Sequence, residues 1–302
     1  MVTVRRSALS PQVRRRISVL LALLPALSIV GVLFGTSIVY GVAQSLGYLT
    51  VIGERHLSFD AYRNLFVGAG PAGSEFWGAL GFSLWVSIAS TVIASVGALL
   101  LAVALPRGRR GRTSVRVLNL NLAFPHIVWA VGILLLLSQS GLVARLATLL
   151  GVISDPSQFP VLLQDRYGLG IIFHYVTKEI PFLALMILAI LRSQPEEYEL
   201  VAANLGANSW QRLRRVVLPM VLPALAAGAL LVFAFDFAAY EAPALLGAQS
   251  PRMLSVLALQ SFTDADLHSR PEGMAIGVIM AIVVMVVATM IWYVGSARSS
   301  RQ

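Results

Sequence analysis

Six long stretches of this 302-residue chain are nearly free of charged side chains, and this feature limits its possible folds most strongly. A helix that crosses a bilayer needs about 20 mostly apolar residues, because the hydrocarbon core is about 30 Å thick. Every stretch meets that requirement. The stretches cover 17–53, 76–106, 117–144, 167–191, 216–240 and 273–297, and their only charged residues are Lys178, Glu179 and Asp236.

The pattern therefore predicts an all-α membrane protein with six transmembrane helices. The composition supports this class, since 57% of the residues are apolar and 12% are charged, against about 25% charged in an average soluble domain. Intrinsic disorder is excluded by the apolar content, and a disulfide scaffold by the lack of cysteine. The predicted helices lie at about 17–42, 76–105, 117–138, 169–191, 217–239 and 273–294.

The distribution of basic residues predicts the orientation of these helices. With six spans, 16 of the 23 lysines and arginines fall on the side that holds both termini, and six fall on the other side. Cytoplasmic loops of membrane proteins carry an excess of Lys and Arg. We therefore expect both termini in the cytoplasm, and we assign the net charge of +9 to these loops, with no nucleic-acid partner.

The predicted spans divide the chain into four parts. A basic cytoplasmic tail covers 1–16, the first transmembrane helix and an extracytoplasmic loop cover 17–75, the main transmembrane domain covers 76–294, and a second tail covers 295–302. The first apolar run has a cleaved signal peptide as its alternative interpretation. Because a signal core is about 7–15 residues long and this run is about twice as long, we interpret it as an uncleaved span.

The common motifs of catalytic and cofactor sites are missing from the sequence. A P-loop places a lysine directly after glycine, but the only lysine, Lys178, follows Thr177. Neither an H-E-x-x-H zinc motif nor a G-x-S-x-G nucleophile elbow occurs. We expect a chain that is not an enzyme and that holds no metal or cofactor of its own.

The longest predicted cytoplasmic connection, at 196–219, carries the most informative local pattern. Its alanines favour a helix over about 197–205, and Gly206 is a natural stop. Ser209 is a candidate cap for a second helix over 210–217, which leads into the fifth span through Leu-Pro. Without further information, this pattern also fits an amphipathic element lying at the lipid headgroups.

This connection resembles the EAA loop of binding-protein-dependent ABC importer permeases. In that family the loop forms two short helices that dock into a groove of the cytoplasmic ATPase and transmit its motion. The family's glutamate falls on Leu200 here, and Glu199 is its nearest substitute. The residues that the resemblance assigns to the coupling loop are Glu199, Ala202, Ala203, Gly206, Ala207, Leu218 and Pro219.

The resemblance extends beyond the loop, since Leu222–Ala248 and Leu254–Phe262 look like the corresponding segments of polyamine-type permeases. It implies the type I ABC importer permease fold, in the bacterial inner membrane. It also implies three protein partners: an ABC ATPase dimer that binds ATP and Mg²⁺, a second permease chain or a second copy of this one, and an extracytoplasmic solute-binding protein. The substrate implied is a polyamine or another small cation.

Two groups of polar residues within the predicted spans are candidates for the solute path. Asp236 and Tyr240 are four residues apart and would share a helix face, and Glu241 follows. An acid inside a membrane costs about 2.5–3.5 kcal/mol on insertion scales, so such residues often face a partner or a watery path. The alternative is that Asp236 reaches solvent at the interface or pairs with Arg252.

The second group is Lys178 and Glu179 in the fourth span. Adjacent helical residues point about 100° apart, so these two side chains cannot fully pair with each other. They are candidates for a gate or for polar residues of the path. The alternative is a helix kink at Pro181 whose freed carbonyl is satisfied locally.

Other substrates and other classes of protein remain open at this level. Permeases for ferric iron, thiamine or phosphonate look similar over the same region. A secondary transporter driven by an ion gradient would show inverted repeats and paired broken helices, and the sequence shows no such repeat. An intramembrane enzyme is disfavoured by the missing catalytic motifs.

Overall fold

A computed structural model describes the chain over 11–105, 109–193 and 205–299. These ranges are helical and contain no β-strand, and one antiparallel bridge joins Leu49 and Glu54. The predicted all-α class is therefore confirmed. The helices are α1 (Pro11–Ser45), α2 (Asp60–Val67), α3 (Gly70–Ala104), α4 (Arg109–Ala123), α5 (His126–Leu137), α6 (Leu142–Leu149), α7 (Leu169–Ser193), α8 (Ser209–Arg212), α9 (Leu218–Ala238), α10 (Glu241–Leu246), α11 (Leu254–Thr263) and α12 (Arg270–Ser299).

Six segments of the described chain are long and apolar enough to cross a membrane, as predicted. They are Ser18–Ser45, Gly70–Ala104, His126–Leu149, Leu169–Ser193, Trp210–Ala238 and Leu267–Tyr293. The second begins six residues earlier than predicted. Pro71 lies in its first turn, where its fixed φ suits a helix and its missing N–H costs nothing.

The predicted third span, 117–138, is wrong as a single helix. Helix α4 ends at Ala123 and α5 begins at His126, with Pro125 between them. Proline has no N–H to donate to the helical ladder, and its ring drives the preceding residue out of the α region. The apolar segment that can cross the membrane is instead His126–Leu149, built from α5 and the short helix α6.

Helices α3, α7 and α9 form the centre of the bundle, and three clusters of buried apolar side chains lie along it. The close approach of α7 and α9 depends on Gly228, where an added Cβ would lie 2.4 Å from Met186 Cε. Helix α12 packs against α11 and α1. The apolar window of α1 has no side chain buried by the rest of the described chain, which suits a helix surrounded by lipid.

Candidate coupling segment and intramembrane polar cluster

The described part of the predicted cytoplasmic loop, which we name the coupling segment, is Leu205–Pro219. It begins with a turn at Gly206, whose φ of +80° lies in the left-handed region. No atom lies within 4 Å of the position where a Cβ would stand. The predicted stop at Gly206 therefore coincides with a turn that strongly favours glycine for its backbone rather than for space. Residues 197–204 of the predicted helix, with Glu199, Ala202 and Ala203, lie outside the described residues, and Leu205 belongs to the turn.

Helix α8 is capped by Asn208, not by Ser209 as the sequence suggested. Asn208 Oδ1 accepts a hydrogen bond from the Gln211 N–H at 2.8 Å, and Gln211 Oε1 accepts one from the Asn208 N–H at 2.9 Å. This reciprocal pair is a capping box. The correction is a shift of one residue, because Ser209 is already the first residue of the helix.

The predicted second helix over 210–217 is helical in the structure, as α8 and one π-helical turn over Leu213–Val217, and it leads into α9 without a break. The Leu218 N–H donates to the Leu213 carbonyl, five residues back. Pro219, next along the chain, has no N–H, which weakens the α-helical ladder where the wider turn occurs. The coupling segment is therefore joined to the fifth span by continuous helix.

The surface of the coupling segment is apolar at two exposed positions. Leu205 is 82% exposed and Trp210 is 65% exposed. Arg214 and Arg215 are exposed on the following turn. On its inner side the segment is anchored, since Val217 is buried in the apolar cluster that joins the adjacent ends of α3, α7 and α9. The coupling segment therefore exposes apolar and basic side chains, while its inner side is fixed to the helix bundle.

A second set of polar residues lies inside the membrane-spanning bundle, and we name it the polar cluster. It combines side chains from four helices that are distant in sequence. Its members are Ser90 of α3, His126 of α5, His174, Tyr175, Lys178 and Glu179 of α7, and Asp236 of α9.

Lys178 occupies the break between α4 and α5. Its Nζ donates to the Asn121 carbonyl at 2.9 Å and to the Phe124 carbonyl at 2.8 Å. In a continuous helix the Asn121 carbonyl would accept from residue 125, but Pro125 has no N–H. A cation also stabilises the negative end of a helix dipole. The lysine thus gives the Phe124 carbonyl a donor and gives a second donor to the Asn121 carbonyl, which also accepts from the Phe124 N–H at 3.3 Å.

Glu179 and Lys178 have different partners, in agreement with the angle expected for adjacent helical residues. Its side chain is 9% exposed, and Oε1 lies 4.0 Å from His126 Nε2. At that distance a protonated histidine would form an ion pair with the carboxylate. Pro181 follows inside α7, and the helix continues through it to Ser193.

Asp236 has no exposed surface, and its Oδ2 accepts a hydrogen bond from Ser90 Oγ at 2.8 Å. Both alternatives considered for it are wrong. It does not reach solvent at the interface, since it is enclosed between helices. Arg252 lies elsewhere, with its Nε 2.8 Å from Glu75 Oε2.

Tyr240 does not share a helix face with Asp236, as the sequence suggested. The prediction required one continuous helix, but α9 ends at Ala238 and Ala239 is extended, with ψ of 138°. Tyr240 is exposed beyond this break, and Glu241 is exposed in the first turn of α10. Asp236 is therefore buried within α9, whereas Tyr240 and Glu241 are exposed beyond its end.

Four members of the polar cluster were not predicted from the sequence: Ser90, His126, His174 and Tyr175. A signal was available for the last two, because His174 lies four residues before Lys178 and Tyr175 four residues before Glu179, which places each pair on one face of α7. Both residues are fully buried. Ser90 gave no such signal, since only the packing of α3 against α9 brings it to Asp236.

Aromatic rings surround the exposed edge of the cluster. The His126 ring lies 4.7 Å from the Phe235 ring and 5.6 Å from the His174 ring, measured between centroids. Phe124 and Trp129 form a neighbouring pair at 6.3 Å. Over the described ranges, no group of three or more His, Cys, Asp or Glu residues is placed to hold a metal ion.

An open cleft of about 350 Å³ lies apart from the cluster, around α10 and the start of α11. Its polar side chains include Gln249, Arg252 and Gln260, and Phe82 and Met253 contribute apolar walls. No residue of the coupling segment or of the polar cluster lines it.

Comparison with known proteins places this geometry in context. The family described as "Binding-protein-dependent transport system inner membrane component" matches residues 94–301. The inner membrane ABC transporter permease protein YnjC of Escherichia coli is 31% identical over 198 residues, which are 63% of this chain and 36% of YnjC. The thiamine transport system permease protein ThiP of Salmonella typhimurium is 32% identical over 177 residues, 58% of this chain and 32% of ThiP.

The chain thus spans about a third of the length of these curated relatives. Among solved structures, a bacterial ABC transporter involved in the import of the acidic polysaccharide alginate matches with a TM-score of 0.76. The match covers 94% of this chain and 96% of the other, at 18% sequence identity. At that identity the likeness establishes the fold, which is that of an ABC importer permease.

Proposed function

The chain belongs to the family of binding-protein-dependent transport system inner membrane components, and from this premise we propose that it is the permease subunit of an ATP-driven solute importer. The assignment makes it a multi-pass protein of the bacterial inner membrane. It also favours the importer over the ion-driven transporter and the intramembrane enzyme considered as alternatives. The chain itself would form part of the solute path. In response to a partner, it would open this path to one side of the membrane or to the other.

One observation supports the proposal most directly: the coupling segment is exposed, apolar and continuous with a membrane-spanning helix. Leu205 and Trp210 offer apolar contact area to a partner, and the π turn joins α8 to α9 without a break. We propose that a cytoplasmic ABC ATPase dimer binds this surface. ATP and Mg²⁺ belong to that partner, and its motion would reach the fifth span through α8.

The complete importer would need two further partners. We propose that a second permease chain, or a second copy of this one, completes the path, and that an extracytoplasmic solute-binding protein delivers the solute. Both chain termini and the coupling segment would then lie on the cytoplasmic side. The excess of basic residues predicted for that side supports this orientation.

The substrate class that we propose is broader than the polyamine or small cation that the sequence suggested. A polyamine gains no support from the comparisons, because ThiP is named for thiamine and the structural relative for alginate. Thiamine was among the open alternatives. We propose a small organic solute and place its path beside Glu179, with Lys178 and Asp236 supporting the walls.

The test of the coupling proposal is Gly206→Val. The left-handed backbone at Gly206 costs a residue with a Cβ about 1–2 kcal/mol, and a β-branched residue more, so the turn should shift and carry α8 with it. We expect normal amounts of protein in the membrane and uptake reduced by about tenfold or more, which corresponds to about 1.4 kcal/mol.

Gly151→Val is the matched control, because Gly151 also has a positive φ, of +71°, and open space around it, but it lies outside the coupling segment. Gly206→Asn should restore much of the uptake, since asparagine tolerates the left-handed region. Uptake that falls equally in the Gly151 and Gly206 variants would argue against a coupling role. Failure of any ATPase to co-purify with the chain in mild detergent would argue against the importer itself.

A further inference from the structure

Building on the proposed permease function, we propose that Glu179 and the aromatic rings beside it form a solute site for a singly charged organic cation. The site consists of the Glu179 carboxylate, the His126 ring, and the exposed rings of Phe124 and Phe235. No residue of the open cleft around α10 and the start of α11 belongs to this site.

The position of the site in the bundle indicates that it faces a path. Glu179 is ten residues along α7, or about 15 Å from its start, which is about half the thickness of a bilayer core. The His126 side chain beside it is 30% exposed, and Phe235 is 43% exposed. Ionisable groups at this depth are costly against lipid and usually face the bundle interior or a water-filled cavity.

The charges around the site favour a cation. The hydrogen bonds of the Lys178 amine go to the Asn121 and Phe124 carbonyls at the end of α4 and not to the Glu179 carboxylate. The Glu179 carboxylate is nearly buried and has His126 Nε2 at 4.0 Å. A buried charge is stable only when it is paired, so a solute that brings a positive charge to Glu179 supplies what this carboxylate requires.

The number of accessible carboxylates favours a single charge on the solute. Asp236 is fully enclosed and accepts a hydrogen bond from Ser90, while Glu241 lies beyond the end of α9. Glu179 is therefore the one acid of the polar cluster that borders the exposed rings. A solute with two or three positive charges would leave one or more of them unpaired in a medium of low dielectric constant.

The rings favour a cation that is quaternary or aromatic. The His126 and Phe235 rings lie 4.7 Å apart, and Phe124 and Trp129 continue the aromatic edge. A cation over the face of an aromatic ring is attracted by the ring's quadrupole, more strongly when water is excluded. Such an edge accommodates a delocalised or alkylated cation better than a strongly hydrated primary amine.

Unused hydrogen-bonding groups lie next to the carboxylate and give a second, independent indication of a ligand. The Tyr175 hydroxyl and both ring nitrogens of His174 are fully buried and have no hydrogen-bond partner among the described residues. Asp236 Oδ1 is in the same condition. Buried polar groups are normally satisfied, so this density of unpaired groups around one carboxylate is typical of a binding site.

The experiment measures binding of three probes to the purified complex of this chain with its co-purifying partners, by equilibrium dialysis without the solute-binding protein. The probes are thiamine, a singly charged aromatic cation, spermidine, a polyvalent cation, and trehalose, a neutral sugar. We expect thiamine to bind more tightly than spermidine, and trehalose not to bind. Glu179→Gln should weaken thiamine binding by about tenfold or more, the loss expected when a buried charge loses its partner.

Asp60→Asn is the matched control, because Asp60 is an exposed acid in the first turn of α2, outside the bundle core. If Glu179→Gln does not accumulate, Phe235→Leu tests the same site, since this exposed ring is tolerant of replacement; thiamine binding should weaken there as well. Tighter binding of spermidine, equal binding by the Glu179 variant, or no binding of thiamine by a complex that hydrolyses ATP would overturn the inference. The last result would leave the proposed permease function standing.

Discussion

The coupling segment and the polar cluster differ in what holds them in place. The coupling segment is shaped by residues that are neighbours in sequence: the left-handed Gly206 and the capping box of Asn208 and Gln211. The polar cluster is assembled across helices, as when Lys178 of α7 caps the end of α4. A substitution in the first should change geometry and leave folding intact, whereas a substitution in the second should affect folding and the path together.

The largest expected effect comes from Lys178→Met, which removes the amine that joins α7 to α4. The Asn121 carbonyl keeps the Phe124 N–H as a donor, but the Phe124 carbonyl loses the lysine. A polar group left unpaired in the bundle costs about 1–3 kcal/mol, and lipid offers no replacement. We expect a clear fall in the midpoint of thermal unfolding in detergent and reduced amounts in the membrane. Arg192→Met, an exposed basic residue in the last turn of the same helix, should change neither. Equal stability of the two variants would contradict the capping role.

The second prediction concerns cysteine labelling, in which each position either reacts or does not. It tests the difference in exposure between the coupling segment and the polar cluster. The chain contains no cysteine, so single cysteines can be introduced and labelled with an impermeant maleimide. Both Trp210 and Leu150 are exposed, so a cysteine at either position should react. In the proposed orientation, Trp210→Cys should react only from the cytoplasmic side and Leu150→Cys only from the opposite side. Ser90→Cys, fully buried beside Asp236, should react only after denaturation. Labelling of positions 210 and 150 from the same side would overturn the proposed topology.

The third prediction distinguishes the roles of Asp236 and Glu179, the two acids of the polar cluster, by the effect of their substitution on uptake. The sequence alone made Asp236 a candidate for the solute path, but the structure encloses it. Asp236→Asn keeps an oxygen that can accept from Ser90 Oγ, and such a bond is worth about 0.5–1.5 kcal/mol. We therefore expect uptake to change by less than about threefold, which is below about 0.7 kcal/mol. A loss as large as that of Glu179→Gln would show that Asp236 also meets the solute.

The same contrast explains which features could be predicted from the sequence. The six spans follow from the length of the charge-free stretches, and the turn at Gly206 follows from the preference of glycine for positive φ. The break in the third span was available locally as well, since Pro125 disfavours a continuous helix, but the apolar run on both sides hid it.

The partners of the buried polar groups could not be predicted, because no local pattern encodes them. Lys178 caps carbonyls of residues 121 and 124, more than fifty positions away, and Ser90 meets Asp236 across 146 positions. Tyr240 shows the opposite failure. Its spacing from Asp236 suggested a shared face, but spacing has that meaning only while the helix continues, and α9 ends at Ala238.

The smallest expected effect concerns the capping box, and it tests whether the coupling segment is locally determined. Asn208→Ala removes the acceptor for the Gln211 N–H, and the loss of such a cap costs about 0.5–2 kcal/mol. Because α8 continues into α9, we expect this cost to appear as faster hydrogen exchange of the α8 amides and a modest fall in uptake.

Gln211→Ala removes the reciprocal bond to the Asn208 N–H. The two substitutions act on one motif, so the double variant should lose less than the sum of the single losses. Asn119→Ala, which removes a side-chain bond to the Val115 carbonyl in α4, should leave exchange in α8 unchanged. Strictly additive losses would mean that Asn208 and Gln211 act separately and that the geometry of α8 is set by its packing instead.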